Sequence, residues 1–273
     1  MKRLFQWMIA AILICGASMF VSCSHDDNPT TKPLSEAIIG KWMIAEENDE
    51  PAFTNNKSVV TFVSATKANV SLSILGYDES TLKWSDGKEC DVKIEGNTVT
   101  LSGEPEKDKI VINELSIKYI DNKEIVADSK RFAIIDGKEE YYNTCKSKYV
   151  RVTKDYRKDV LGTWEGRVSS EEGSENDDGE LHRWEFKDDG TFVFYFQDEN
   201  GEWYASNDEF AEYFCDGTLL CTRWKNVGEG TKENREWWEI QSIKNGVMKW
   251  YGLRMREDGT TYVASFYMTK VEE

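Results

Sequence analysis

Ile38-Ile39-Gly40-Lys41-Trp42 returns as Val160-Leu161-Gly162-Thr163-Trp164, 122 residues further along the chain. Ile135-Asp136-Gly137 returns at the same offset as Glu257-Asp258-Gly259. Asn97-Thr98-Val99 corresponds to Gly217-Thr218-Leu219, and the two stretches close alike on Val152-Thr153-Lys154 and Met268-Thr269-Lys270. Four landmarks in one order at nearly one offset mark a duplicated unit. The first copy runs over 34–154 and the second over 155–273, with the boundary near Lys154–Asp159.

Each copy reads as β-structure. Val59-Val60-Thr61-Phe62, Ala68 to Leu75, Ile110-Val111-Ile112 and Tyr149 to Val152 are β-branched or aromatic runs. In the second copy Trp184-Glu185-Phe186 passes through Asp188-Asp189-Gly190 into Thr191 to Phe196, a hairpin around an Asp-Gly turn. Gly96-Asn97, Asp216-Gly217, Asn245-Gly246 and Asp258-Gly259 signal further hairpins. Frequent turns without a long helical period predict an all-β chain, two tandem antiparallel up-and-down β-barrels. One short helical turn is expected ahead of each Gly-x-Trp, at Ser35–Ile39 and at Arg157–Leu161. Ser206 to Glu209 fits either a helix cap or a strand.

A short helical turn, a Gly-x-Trp opening the first strand and about 110 residues of hairpins resemble the lipocalin-like (calycin) β-barrels. The tandem form is similar to lipocalin-like lipoproteins of Bacteroidota. The resemblance implies that Trp42 and Trp164 plug one end of each barrel and that Gly40 and Gly162 belong to the same structural motif. It also implies a basic side chain from a late strand packed over each ring. Arg151 or Lys154 could serve the first barrel and Lys270 the second, where no arginine matches Arg151.

The N-terminus reads as an address. Lys2 and Arg3 precede an apolar run from Leu4 to Ile14, too short for a stable span, and a small-residue cleavage zone follows. Phe20-Val21-Ser22-Cys23 resembles a bacterial lipobox, which makes residues 1–22 a lipoprotein signal peptide and Cys23 the lipidation site, carrying acyl chains such as palmitate. Residues 23–33 form a polar, proline-punctuated tether. Ser24-His25-Asp26-Asp27 is similar to the acidic export signal of Bacteroidota lipoproteins. The expected location is therefore the outer membrane, lipid-anchored and facing the cell exterior, with its periplasmic face as the alternative.

Composition restricts function. Across 273 residues, 50 acidic side chains outweigh 34 basic ones, a net charge of −16, which argues against nucleic acid. Residues 34–154 carry 17 basic and 21 acidic side chains; residues 155–273 carry 14 and 27. Of the ten tryptophans, Trp164, Trp184, Trp203, Trp224, Trp237, Trp238 and Trp250 fall in the second copy. That copy is the place to look for a site.

Alternation puts His182, Trp184 and Phe186 on one face, Phe192, Phe194 and Phe196 on another, and Tyr262 with Phe266 on a third. With Trp238 and Trp250, these are candidate walls of a cup for an apolar or sugar-like ligand. The alternative is that they simply fill the barrel. Arg223, in phase with Leu219 and Cys221, is a candidate interior charge or an exposed strand end. Trp237 and Trp238 cannot both point inward, so one is expected outside, where a sugar or a partner could stack. The acidic run 171–180 lacks calcium-loop spacing and reads as a solvated loop. No zinc spacing, catalytic Ser/His/Asp group, Walker loop or dinucleotide fingerprint occurs, so no metal, no cofactor and no enzymatic activity are expected. Cys90–Cys145 is an open disulfide possibility, whereas Cys215 and Cys221 are expected as half-buried thiols. Two functions remain: a non-enzymatic binder of a small hydrophobic or carbohydrate ligand, or an accessory protein with solid barrels docking on an unidentified partner through exposed aromatics.

Overall fold

Two antiparallel sheets, one from each copy of the repeat, account for nearly all regular structure in the computed structural model. It describes residues 32–74, 83–103, 109–169, 181–226, 233–256 and 258–272. The signal segment, Cys23 and the acidic run 171–180 lie outside the described residues. Lys32–Glu273 forms one unit.

The first sheet follows helix α1 (Leu34–Ala37) and contains β1 (Gly40–Glu47), β2 (Glu50–Pro51), β3 (Ser58–Phe62), β4 (Lys67–Ile74), β5 (Lys83–Glu95), β6 (Thr98–Ser102), β7 (Lys109–Ile120), β8 (Glu124–Ile135) and β9 (Lys138–Arg151). Neighbours in sequence pair, and β1 pairs with both β3 and β9, which closes eight strands into a barrel. Turn chemistry fixes the hairpins. Asn48-Asp49 and Asp136-Gly137 hold two successive positive φ angles, a backbone that Asn, Asp and Gly tolerate and β-branched residues do not. Alternate residues point inward: Trp42, Ile44, Val60, Phe62, Val99, Leu101, Leu115, Ile125 and Tyr149 share one core.

The second sheet contains β10 (Gly162–Ser169), β11 (Leu181–Phe186), β12 (Phe192–Gln197), β13 (Trp203–Ala205), β14 (Asn207–Asp216), β15 (Leu219–Asn226), β16 (Asn234–Lys244), β17 (Val247–Met255) and β18 (Thr261–Lys270). Its order is β13-β12-β11-β10-β18-β17-β16-β15-β14. The sheet curls until its ends meet, at a bridge between Thr191 and Glu212 and at bonds from Ser206 N to Phe194 O and from Tyr213 N to Gly190 O. Ser206–Glu209 is thus the start of a strand rather than a helix cap. A single turn over Arg157–Val160 replaces the helix of the first copy.

The repeated motif has one geometry in both places. Trp42 Nε1 donates to Ile38 O and Trp164 Nε1 to Val160 O, each at 2.7 Å. Arg151 stands opposite Trp42 in the ladder with its guanidinium 4.0 Å from the ring; Lys270 stands opposite Trp164 with Nζ at 5.2 Å. Glycine is required two residues earlier. Gly40 and Gly162 have φ of 132° and 101°, and a Cβ at Gly40 would lie 2.2 Å from Arg151 Nη1. Arg151, not Lys154, therefore covers the first ring.

Three sequence expectations are corrected at the β14–β15 hairpin of the second barrel. Asp216 pairs with Leu219, so the turn is Gly217-Thr218 rather than Asp216-Gly217, and Cys215 faces Leu220. Cys215 and Cys221 are fully buried, at 2% and 0% exposure, not half-buried. Arg223 does share a face with Leu219 and Cys221, but that face is the outer one. Inward-pointing residues of β15 are Leu220 and Trp224, because the turn register sets their parity. No disulfide joins Cys90 to Cys145.

That outer face is covered by the first barrel. Met43 and Val59 pack with Phe214, Leu219 and Cys221, flanked by Trp84, Val152 and Trp237. The Arg223 guanidinium lies 4.7 Å from the Trp84 ring and forks onto Glu212 Oε2 at 2.9 and 2.5 Å, while Phe214 meets Trp84 edge-on at 4.9 Å. Asp216, 4% exposed, is the polar centre of the joint. It accepts from Lys41 Nζ, from Ser71 Oγ at 2.6 Å and from Arg157 Nη2 at 3.4 Å. Lys57 pairs with Glu239, and Thr54 Oγ1 accepts from Leu253 N at 2.8 Å. A buried carboxylate is tolerated because three donors, Lys41, Ser71 and Arg157, converge on it.

Candidate ligand site in the second barrel

The interior of the second barrel is built from aromatic rings. Trp184, Phe186, Phe192, Phe194, Trp238, Trp250 and Phe266 are each 7% exposed or less. Phe196, Trp224 and Tyr262 pack against them. Strand alternation supplies every one of these positions, since β11, β12, β15, β16, β17 and β18 each send alternate side chains inward. Trp184 and Trp250 meet at 5.6 Å, Trp238 and Trp250 at 5.7 Å, and Trp238 and Phe266 at 5.2 Å. Tilted and edge-on geometry predominates, as ring quadrupoles prefer. His182 sits among Phe194, Phe196 and Phe266, with centroids at 5.0, 5.6 and 5.5 Å. The predicted wall residues therefore do come together, and Arg223 alone of the set lies outside.

At the end of the barrel away from Trp164, polar groups interrupt the rings. Trp238 Nε1 donates to Glu236 Oε2 at 2.9 Å, and the Arg254 guanidinium stacks 4.2 Å from the Trp238 ring. Gly252 makes this fold-back possible, because a Cβ there would lie 3.2 Å from Arg254 Nε. Burial pushes the Glu236 carboxyl above the ordinary carboxylate range, and Arg254 and the Trp238 donor only partly offset it.

Across the interior, four donors have no acceptor among the described residues: Trp184 Nε1, Trp250 Nε1, Asn234 Nδ2 and Arg254 Nη2. Buried N–H groups left unmatched cost about 1–3 kcal/mol each, and native interiors hold few of them. Asn234, Glu236, Gly252 and Arg254 were not among the sequence candidates. Parity with Trp238 and Trp250 was the available signal, since all four fall on the same alternation as those rings.

Trp237, the outward member of the Trp237-Trp238 pair, packs at the joint with the first barrel. The stacking surface expected for an external sugar or partner is occupied by the chain itself.

No family model and no curated protein matches the chain. Among solved structures it is similar to a protein of unknown function of the DUF3598 family from Nostoc punctiforme PCC 73102. Identity is 10%, coverage is 87% of this chain and 97% of that one, and the TM-score is 0.26. It is also similar to variants of the vaccine antigen transferrin binding protein B from Haemophilus parasuis Hp5. One has 14% identity over 80% of this chain and 47% of that one, with a TM-score of 0.25. A second has 7% identity over 82% and 62%, with a TM-score of 0.24. The chain spans about half the length of the first of these two variants. The fold is read from its own strand pairing.

Proposed function

We propose that the protein is a non-enzymatic binding lipoprotein, held to the outer membrane by acyl chains on Cys23 and facing the cell exterior. Its second barrel takes a small hydrophobic or sugar-like molecule. One observation carries the binding reading: indole N–H groups of Trp184 and Trp250, in residues 2% and 1% exposed, have no acceptor among the described residues. A bound molecule with acceptor atoms would complete them.

Native mass spectrometry of protein purified from its host tests this, with a co-purifying small molecule as the expected result. A bare polypeptide mass in every preparation would sink it. For the anchor, Cys23→Ala should release the protein from membranes, and a variant that stays bound refutes lipidation there.

The accessory reading is favoured by a different observation. Two clefts of about 510 and 200 Å³ lie against the first barrel, one lined by Leu34, Val92 and Ile94 and the other by Glu46, Glu124 and Lys148. The second barrel, by contrast, is packed with rings. Tyr204, Tyr267 and Met255, 52%, 45% and 60% exposed, are the outward groups such a partner would meet.

A further inference from the structure

We infer that the end of the first barrel closed by α1 and Trp42 is a lipid-docking face, which seats on the surface of the bilayer that holds the acylated Cys23. This rests on the lipoprotein reading and adds to it which side of the molecule meets the membrane.

Apolar side chains gather at that end and stay exposed. Val63 is 60% exposed and Ile39 36%. They flank the rung that pairs Gly40 with Phe62, the last of the β1–β3 ladder. Val63 N donates to Lys67 O at 3.0 Å, which fixes the β3–β4 turn. Beside that turn opens the cleft of about 510 Å³, with an apolar lining from Leu34 of α1, Ala65 of the turn, and Val92 and Ile94 of β5. Apolar groups collected on a folded surface mark a contact with lipid or protein.

Connectivity and charge select lipid. Leu34, part of the cleft lining, is eleven residues beyond Cys23. Fully extended, that stretch spans at most about 40 Å, so an anchored chain keeps this end beside the bilayer at an effective concentration of about millimolar. Charges next to the lining are matched: Lys67 reaches Glu89 at 2.6 Å and Asp91 at 2.9 Å, and Lys93 reaches Glu95 at 2.8 Å. The excess of acid falls in the second copy, with 27 acidic and 14 basic side chains, and an anionic leaflet repels that half. Exposed aliphatic groups then add a second attachment to the acyl chains.

The test reconstitutes the acylated protein from its host into vesicles of phosphatidylethanolamine and phosphatidylglycerol with brominated acyl chains, which quench nearby indoles. Reporter tryptophans are introduced singly, and emission is read as the difference from the parent. Val63→Trp and Ile39→Trp should shift to the blue and be quenched, because indoles favour the interface. Tyr204→Trp and Met255→Trp, at outward positions of the second barrel, should be unaffected. Adding Ile39→Asp to Val63→Trp should abolish the shift and the quenching while the protein still floats with the vesicles and its melting temperature holds. Unquenched reporters at 39 and 63 in protein that floats, or equal quenching at 204 and 255, overturn the inference and leave the anchor reading standing. A blue shift at 63 that grows with protein concentration before lipid is added assigns the face to a second copy and also overturns it. If the acylated protein does not float, the anchor reading fails and this inference with it.

Discussion

Gly40 and Gly162 occupy equivalent places, yet they differ in what crowds them. A Cβ at Gly40 would lie 2.2 Å from Arg151 Nη1, and that guanidinium is pinned by bonds to Asn122 O at 2.8 Å and Ile39 O at 3.1 Å. At Gly162 the nearest atom is Lys270 Cε at 3.1 Å, on a chain free to swing aside. Both substitutions carry backbone strain of about 1–3 kcal/mol. Gly40→Ala should be the costlier, by about 1 kcal/mol for displacing the arginine, as read from urea unfolding midpoints. Equal losses would show that Arg151 contributes nothing. Glu236 offers a second comparison at this scale. Its folded pKa is raised by burial, so its contribution to stability is full below the ordinary value of 4.5 and is lost as pH rises through the folded value. Glu236→Gln keeps an acceptor for Trp238 Nε1 and cannot ionise. It should raise stability at pH 8 while changing little at pH 4, and an unchanged pH profile would refute the assignment.

Among the elements, the hairpin β14–β15 carries the joint, and its centre is Asp216. Asp216→Asn should lower stability by about 3 kcal/mol, the cost of breaking a buried charge set from one side, measured by chemical denaturation. Burial pulls the Lys41 pKa down, but the bonds and charges of Asp216 and Asp155 outweigh it and leave it above 10.5. Asp155 is opposed by burial too, yet the Arg157 N–H and Lys41 hold it below 3.8. The sign follows from linkage: Lys41's contribution is present below pH 10.5 and lost as pH rises through its folded value. Asp155's is present above pH 3.8 and lost as pH falls through its own. Stability should therefore fade at both ends of that window in the parent, and the loss at the alkaline end alone should be smaller in Asp216→Asn, because Asp216 holds up Lys41 but not Asp155. The same hairpin shows where sequence reading stopped. Alternation located most rings of the second interior, because period-2 patterning is local, but it did not place Trp224 or Tyr213 there. It also put Arg223 in phase with Leu219 and Cys221 correctly. What it could not supply was which face looked inward, since both faces of β15 are apolar. One is core and the other is buried by a barrel whose strands lie far away in sequence. Asn234, Glu236 and Arg254 do not stand out because a polar residue on a half-buried strand reads as solvent-facing, and only the fold-back over Gly252 sets Arg254 against Trp238 and near Glu236.

For the molecule as a whole, the joint makes the two barrels neighbours that stabilise each other. Met43, Val59, Phe214, Leu219 and Cys221 are all at or below 3% exposure. Calorimetry should show one cooperative transition for residues 34–273. Residues 155–273 alone should expose Phe214, Leu219 and Trp237 and be prone to associate. Two resolved transitions, or a soluble monomeric second barrel, would contradict this.

The two buried thiols give the molecule a pair of internal clocks. Burial pushes both Cys215 and Cys221 well above the ordinary thiol range, so each is chemically silent while its surroundings stay shut. Cys215 is walled inside the second core, whereas Cys221 lies in the seam between barrels. The rate at which an alkylating reagent reaches Cys221 therefore times the parting of the two halves, and the rate at Cys215 times the breathing of one. Asp216→Asn should speed the first clock more than the second. Equal acceleration would mean that seam and interior open as a single event.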